Sequence, residues 1–187
     1  VFEWLEKSVK TADPEAREKM HNASTMAGMA FANAFLGMSH SMAHKIGGVH
    51  HTVHGRTNAI LLPYVIRYNG TRPSKTTTWP KYNYWKADEK FQDIAKMLGL
   101  PHSTPEEAVE AYAKAVYDLG VAVGIKMNFK DQGIDEKAWK DSLHEIALLA
   151  YEDQCSPANP RLPMVADMEE IMADAYYGYA ERPGRRK

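Results

Sequence analysis

The 187 residues carry 23 basic and 24 acidic side chains for a net charge of −1, with 44% hydrophobic and 25% charged residues. That length supports one domain with a real core and falls short of two ordinary ones, while the charge balance selects neither nucleic acid nor an anionic membrane as partner. The single cysteine, Cys155, excludes an internal disulfide and suits a reducing cytoplasm, and no apolar run approaches the roughly 18 residues of a membrane span.

Val1, Phe2, Leu5 and Val9 recur at helical spacing from the first residue, with no cap or polar lead-in before them. This reads as the middle of a helix, so the chain is expected to be a piece of something longer. Asp13-Pro14 ends that helix and starts the next, with proline early enough that its missing N–H costs nothing. Residues 15–46 then read as one long helix. Its stretch 26–38 is small and apolar on nearly every face, which predicts a central buried helix. Gly47-Gly48 is the expected stop.

A second apolar helix is expected over residues 55–68, with Pro63 as a kink. Residues 69–84 (NGTRPSKTTTWPKYNY) have no period and read as a loop, with Trp79, Tyr82 and Tyr84 laid against the body. Helices follow over 85–98, 105–123, 136–153 and 165–177. Thr104-Pro105-Glu106-Glu107 forms a capping box for the second of these, and Asp135 caps the third. Arg182 to Lys187 (RPGRRK) reads as a solvated basic tail. With no alternating strand pattern and no internal repeat, the fold class is all-α, a helical bundle.

Five of the eight histidines fall within fifteen residues: His40, His44, His50, His51 and His54. Imidazole is the commonest metal ligand and titrates nearest neutral pH, so the cluster points to a metal site, a proton relay or both. His40 and His44 stand four apart and share a helix face. HxxxH at that spacing can hold a metal ion, but Ser41, Met42 and Ala43 lie between them. The general base of the HExxH metalloproteases is absent. Across the glycine turn, His54 is placed to swing back towards His40, so three imidazoles can converge. No Asp or Glu occurs from Met26 to Pro73, and any acidic ligand must come from elsewhere in the chain or outside it. His21, His102 and His144 read as ordinary, the Met and aromatic residues of 26–38 as core filler, and Cys155 as an inert thiol.

The stretch MAGMAFANAFLGMSHSMAHKIGGVHHTVHGRTNAILLPYVIRYN, residues 26–69, resembles the iron-containing alcohol dehydrogenase family. It is most similar to the alcohol dehydrogenase half of bifunctional acetaldehyde–alcohol dehydrogenases. Asp153 to Arg161 (DQCSPANPR) and the AYYG at Ala175 to Gly178 fit the same family. The resemblance implies the C-terminal metal-binding domain of the dehydroquinate synthase-like, iron alcohol dehydrogenase fold, N-terminally truncated, spanning residues 1–180. It implies one Fe²⁺ (or Zn²⁺) held by an Asp-x-x-x-His pair and by two histidines fourteen apart, which map onto His40 and His54.

By the same resemblance His44 lines the cleft near the nicotinamide of NAD, and His51 falls where proton transfer to the substrate oxygen is suspected. His50 has no assigned role. Asp13 with Arg17, and Glu3 with Lys7, fail the Asp-x-x-x-His pattern. No glycine-rich phosphate loop is present, so the nucleotide-binding domain is expected outside these residues. The implied activity is reversible, NAD-dependent reduction of acetaldehyde to ethanol in the cytoplasm, by a homo-oligomer or filament, with the fragment alone inactive. Alternatives are a zinc polyol dehydrogenase of the same superfamily, or a module used mainly in filament assembly.

Overall fold

The computed structural model describes residues 1–73 and 85–178. Among these residues every regular element is helical. In chain order they are α1 (Leu5–Thr11), α2 (Pro14–Ala34), α3 (Met38–His50), α4 (His54–Gly70), α5 (Ala87–Met97), α6 (Pro105–Ala122), α7 (Glu136–Tyr151) and α8 (Val165–Tyr177), with a 3-10 turn at Ser156–Ala158. Trp79, Tyr82, Tyr84 and the basic tail lie outside the described residues.

The helix starts follow from their caps. Asp13 accepts the Ala16 N–H at 2.9 Å, and Asp135 accepts the Ala138 N–H at 2.9 Å. Thr104 accepts the Glu107 N–H at 3.2 Å, while Glu107 reaches back to the Ser103 N–H at 2.7 Å. Each satisfies a donor that the first helical turn leaves open.

The main core gathers α3, α4, α7, α8 and the segment before α7. Met38, Met42 and Ile46, four apart on α3, meet Ile60 and Leu61 of α4 and Met168 and Met172 of α8, all at most 1% exposed. Phe129, Trp139 and Tyr176 stack through its centre, with ring centroids 4.9 and 5.3 Å apart. His40 and His44 sit two residues off the buried Met38–Met42–Ile46 row. That is about 200° round the helix, so the histidines face away from the core. A smaller core of Ile66, Val109 and Ala113 joins α4 to α6, and Arg67 grips Glu110 across the same seam with bonds of 2.7 to 2.9 Å.

Three expectations for the first half are overturned. The long helix over 15–46 is two helices. Phe35 takes φ 62° and its N–H closes onto the Phe31 carbonyl, ending α2, and Gly37 then starts α3 in extended conformation. Nor does the glycine pair stop the next helix: α3 runs through Gly47-Gly48 to His50, and His51 supplies the left-handed cap at φ 53°. Thirdly, α2 is not a central buried helix. Only Ala16 is buried, and Met26, Met29, Phe31 and Phe35 are 48 to 69% exposed.

Asn159, 1% exposed, fixes where α3 begins. Its Oδ1 accepts the Met38 N–H at 3.2 Å, and its Nδ2 donates to Asn69 Oδ1 at 2.7 Å and to the Arg161 carbonyl at 2.6 Å. One side chain thereby ties the start of α3 to the end of α4 and to the 3-10 segment. Gly37 permits it, because a Cβ there would lie 2.8 Å from Asn159 Oδ1.

Candidate metal centre

His40 and His44 project from α3, and His54 opens α4 after a turn of three residues, 51–53. The reversal brings the three rings together. Centroids of His40 and His54 are 5.3 Å apart, those of His44 and His54 are 5.3 Å apart and nearly parallel at 16°, and His40 and His44 are 6.2 Å apart. Two imidazoles on one tetrahedral ion, at metal–nitrogen distances of about 2.1 Å, put their centroids about 5 Å apart. The His40–His54 and His44–His54 pairs both fit that separation, and Asp153 engages one nitrogen of His44.

Burial, and then the neighbouring His54 and His44, push the His40 pKa down. That shift favours the neutral form, the one that ligates metal. His54 Nε2 accepts from Asn58 Nδ2 at 3.2 Å, and Asn58 Oδ1 accepts from the Ser39 hydroxyl at 2.9 Å. The lone pair that would bind a cation is thus occupied by a neutral donor.

His44 is bound differently. Its Nδ1 lies 3.2 Å from Asp153 Oδ2, which also meets Lys45 Nζ at 3.0 Å, while Asp153 Oδ1 accepts the Cys155 N–H at 3.0 Å. Burial raises the Asp153 carboxyl, but the Cys155 N–H, Lys45 and His44 outweigh it and hold the pKa at about 2. Burial and the adjacent Asp153 push the Cys155 thiol up to about 11.

Among the described residues, His44, Asp153 and Cys155 are the only group of three metal-type donors with atoms within 4.8 Å of one another. Its chemistry suits a hydrogen-bond network better than an ion. The Lys45 ammonium already neutralises the carboxylate, and the raised Cys155 thiol would have to give up its proton before it could ligate. Sequence reading missed Asp153 and Lys45 here. The signal available was the acid at the head of the DQCSPANPR stretch.

His50 and His51 stand apart from the three rings. His50 Nε2 lies 3.0 Å from Ser142 Oγ, whose own hydrogen goes to the Ala138 carbonyl at 2.8 Å, so His50 is the donor. With its ring 5.3 Å from Trp139, His50 pins α3 to α7. His51 is exposed and lines a cavity of about 300 Å³ with Thr52, Arg56, Gln132 and Asp135. No helix among the described residues is long and apolar enough to cross a membrane.

Comparison with known proteins places the chain in a family. The Fe-containing alcohol dehydrogenase family, C-terminal part, matches residues 1–176. The chain is 79% identical over 187 residues to the aldehyde-alcohol dehydrogenase of Streptococcus pneumoniae serotype 2, covering all of this chain and 21% of that protein. Aldehyde-alcohol dehydrogenase 2 of Entamoeba histolytica is 59% identical over 180 residues, covering 96% of this chain and 21% of its own length. The chain thus spans about a fifth of these relatives. Among solved structures, a 1,3-propanediol oxidoreductase superposes with a TM-score of 0.79 at 32% identity, covering 94% of this chain and 42% of that one. The histidine-bearing helical unit belongs to the Fe-containing alcohol dehydrogenase family, as part of its C-terminal region.

Proposed function

We propose that this chain is the portion of a metal- and NAD-dependent alcohol dehydrogenase that supplies half of the metal's ligands and one wall of the reaction cleft. The observation that carries the reading is the approach of His40 and His54 to 5.3 Å, which suits two imidazoles on one ion, while His44 at the same distance from His54 is engaged by Asp153. The chain's likeness to aldehyde-alcohol dehydrogenases supports an aldehyde–alcohol substrate pair, here acetaldehyde and ethanol. When bound, the metal polarises the carbonyl oxygen as a Lewis acid and the reduced dinucleotide supplies the hydride.

The chain's own residues have separable tasks. His40 and His54 each give one imidazole nitrogen, which at His54 requires Asn58 to yield its hydrogen bond. A metal of this class needs three or four protein ligands. The carboxylate and the remaining imidazole come from the longer protein, as does the nucleotide-binding domain. His44 borders the nicotinamide side of the cleft. His51, on the exposed turn between α3 and α4, passes a proton between solvent and the substrate oxygen, since an imidazole serves as either acid or base. Iron is the expected metal, with zinc as the alternative that imidazole ligands also accept. The setting is cytoplasmic.

The test uses the full-length protein. His40→Ala and His54→Ala are each expected to lower bound metal to well under one ion per protomer and to abolish acetaldehyde reduction. Full metal content and unchanged turnover in either variant would remove the ligand assignment. Assaying ethanol beside 1,3-propanediol and glycerol separates this reading from a polyol dehydrogenase.

A further inference from the structure

Asp153 follows α7 and reaches back to α3 across 109 residues of sequence. Its side chain is only 7% exposed, yet both oxygens are used. Oδ1 takes the Cys155 N–H, and Oδ2 takes His44 Nδ1 and Lys45 Nζ. An ionised carboxylate can only accept, so the hydrogen between it and His44 sits on Nδ1. In a neutral imidazole the other nitrogen then carries none, and Nε2 becomes the acceptor. The ring so fixed lies flat against His54. Lys45, the next residue, shares the same oxygen and keeps the carboxylate anionic.

We propose that Asp153 is a positioning residue of the cleft: its hydrogen bond to Nδ1 fixes the orientation and tautomer of His44, so that Nε2 stands as a lone-pair acceptor beside the His40–His54 pair. The group that would use this acceptor is a neutral donor, either an alcohol hydroxyl or the carboxamide N–H of a nicotinamide. The proposal rests on the reading of this face as a dehydrogenase cleft. Its chemistry parallels the carboxylates that orient histidines elsewhere, where loss of such a partner costs about 10- to 100-fold.

The experiment is a double-mutant cycle in the full-length protein. Asp153→Ala is expected to lower kcat/KM about ten-fold, with metal content unchanged. In a His44→Ala background the same change should cost less than two-fold, because the residue through which Asp153 acts is gone. Asp153→Asn, isosteric and less disruptive, should fall between wild type and Asp153→Ala. A weakened Kd for NADH with an unchanged KM for ethanol identifies the carboxamide as donor, and the converse identifies the hydroxyl. An equal loss in both backgrounds would overturn the proposal, as would no loss in wild type.

A second readout needs no activity. With excess diethyl pyrocarbonate, wild-type His44 should accept one carbethoxyl group, because Nδ1 is engaged, while Asp153→Ala should admit a second, read by mass on the His44 peptide. The same adduct count in both would sink the dyad. Should wild type show no metal-dependent aldehyde reduction, the dehydrogenase reading fails by itself and this modification assay alone decides the Asp153–His44 pairing.

Discussion

His51 closes α3 with φ 53° and ψ 34°, a left-handed conformation that costs a residue with a Cβ about 1 kcal/mol. A glycine would hold it without that cost, so the backbone gives no reason for histidine. Non-glycine residues in such conformations gather at functional sites. His51→Gly in the full-length protein is therefore expected to stabilise the fold by about 1 kcal/mol while lowering kcat at least 100-fold. Thermal unfolding and a kcat–pH profile measured together check both. An unchanged kcat and profile would leave the imidazole without a role in proton transfer. At this scale the sequence was partly legible. The spacing of His40 and His54, set against the family pattern, marked a pair whose rings do approach each other. Asp153 could not be found by spacing, because its partners, His44 and Lys45, lie more than a hundred residues earlier.

The elements with strong local chemistry were readable: Asp13, Thr104 and Asp135 stand at the helix starts where their side chains cap. The misreadings came where local chemistry was ambiguous. Residues 26–38 are small or apolar except for Asn33, so periodicity gave no sign of the break at Phe35. Gly47-Gly48 looked like a stop, yet glycine inside a helix costs only about 1 kcal/mol each, and the buried Met38–Met42–Ile46 row sustains α3 across it. What orients α3 is the Asn159 tie at its first turn. Gly37→Ala would put a Cβ 2.8 Å from Asn159 Oδ1 and displace the acceptor of the Met38 N–H. The expected cost is about 1 to 3 kcal/mol, read as a lower unfolding midpoint. Because α3 carries His40, metal affinity should fall with it. An alanine variant with wild-type stability and metal content would show that the tie does not set the helix start.

As a whole, the all-α class was plain from the period of the apolar residues, but the exposure of α2 was not. An apolar helix predicts a covering surface without naming it, and among the described residues α2 buries only Ala16. The proposed metal centre has the same need of a partner: His40 and His54 would be two donors where three or four are needed. The 187-residue chain alone is accordingly expected to bind Fe²⁺ or Zn²⁺ weakly or not at all, and to reduce no aldehyde. Isothermal titration yielding one-site binding at micromolar affinity or tighter would contradict this and would point to recruitment of His44 or His50.

The two kinds of contact around the histidines differ in how far along the chain they reach. His40 and His54 meet through one helix, a three-residue turn and the start of the next helix, so little loop entropy opposes their approach. His44 is tied to Asp153 across 109 residues, a contact that exists only when the end of α7 is docked on α3. During folding the imidazole pair can therefore form early and locally, while the orientation of His44 arrives late. In the folded protein the same order runs in reverse: an opening that lifts the segment after α7 would free His44 and leave the pair standing. The orientation of His44, rather than the presence of the paired imidazoles, is thus what reports a completed fold.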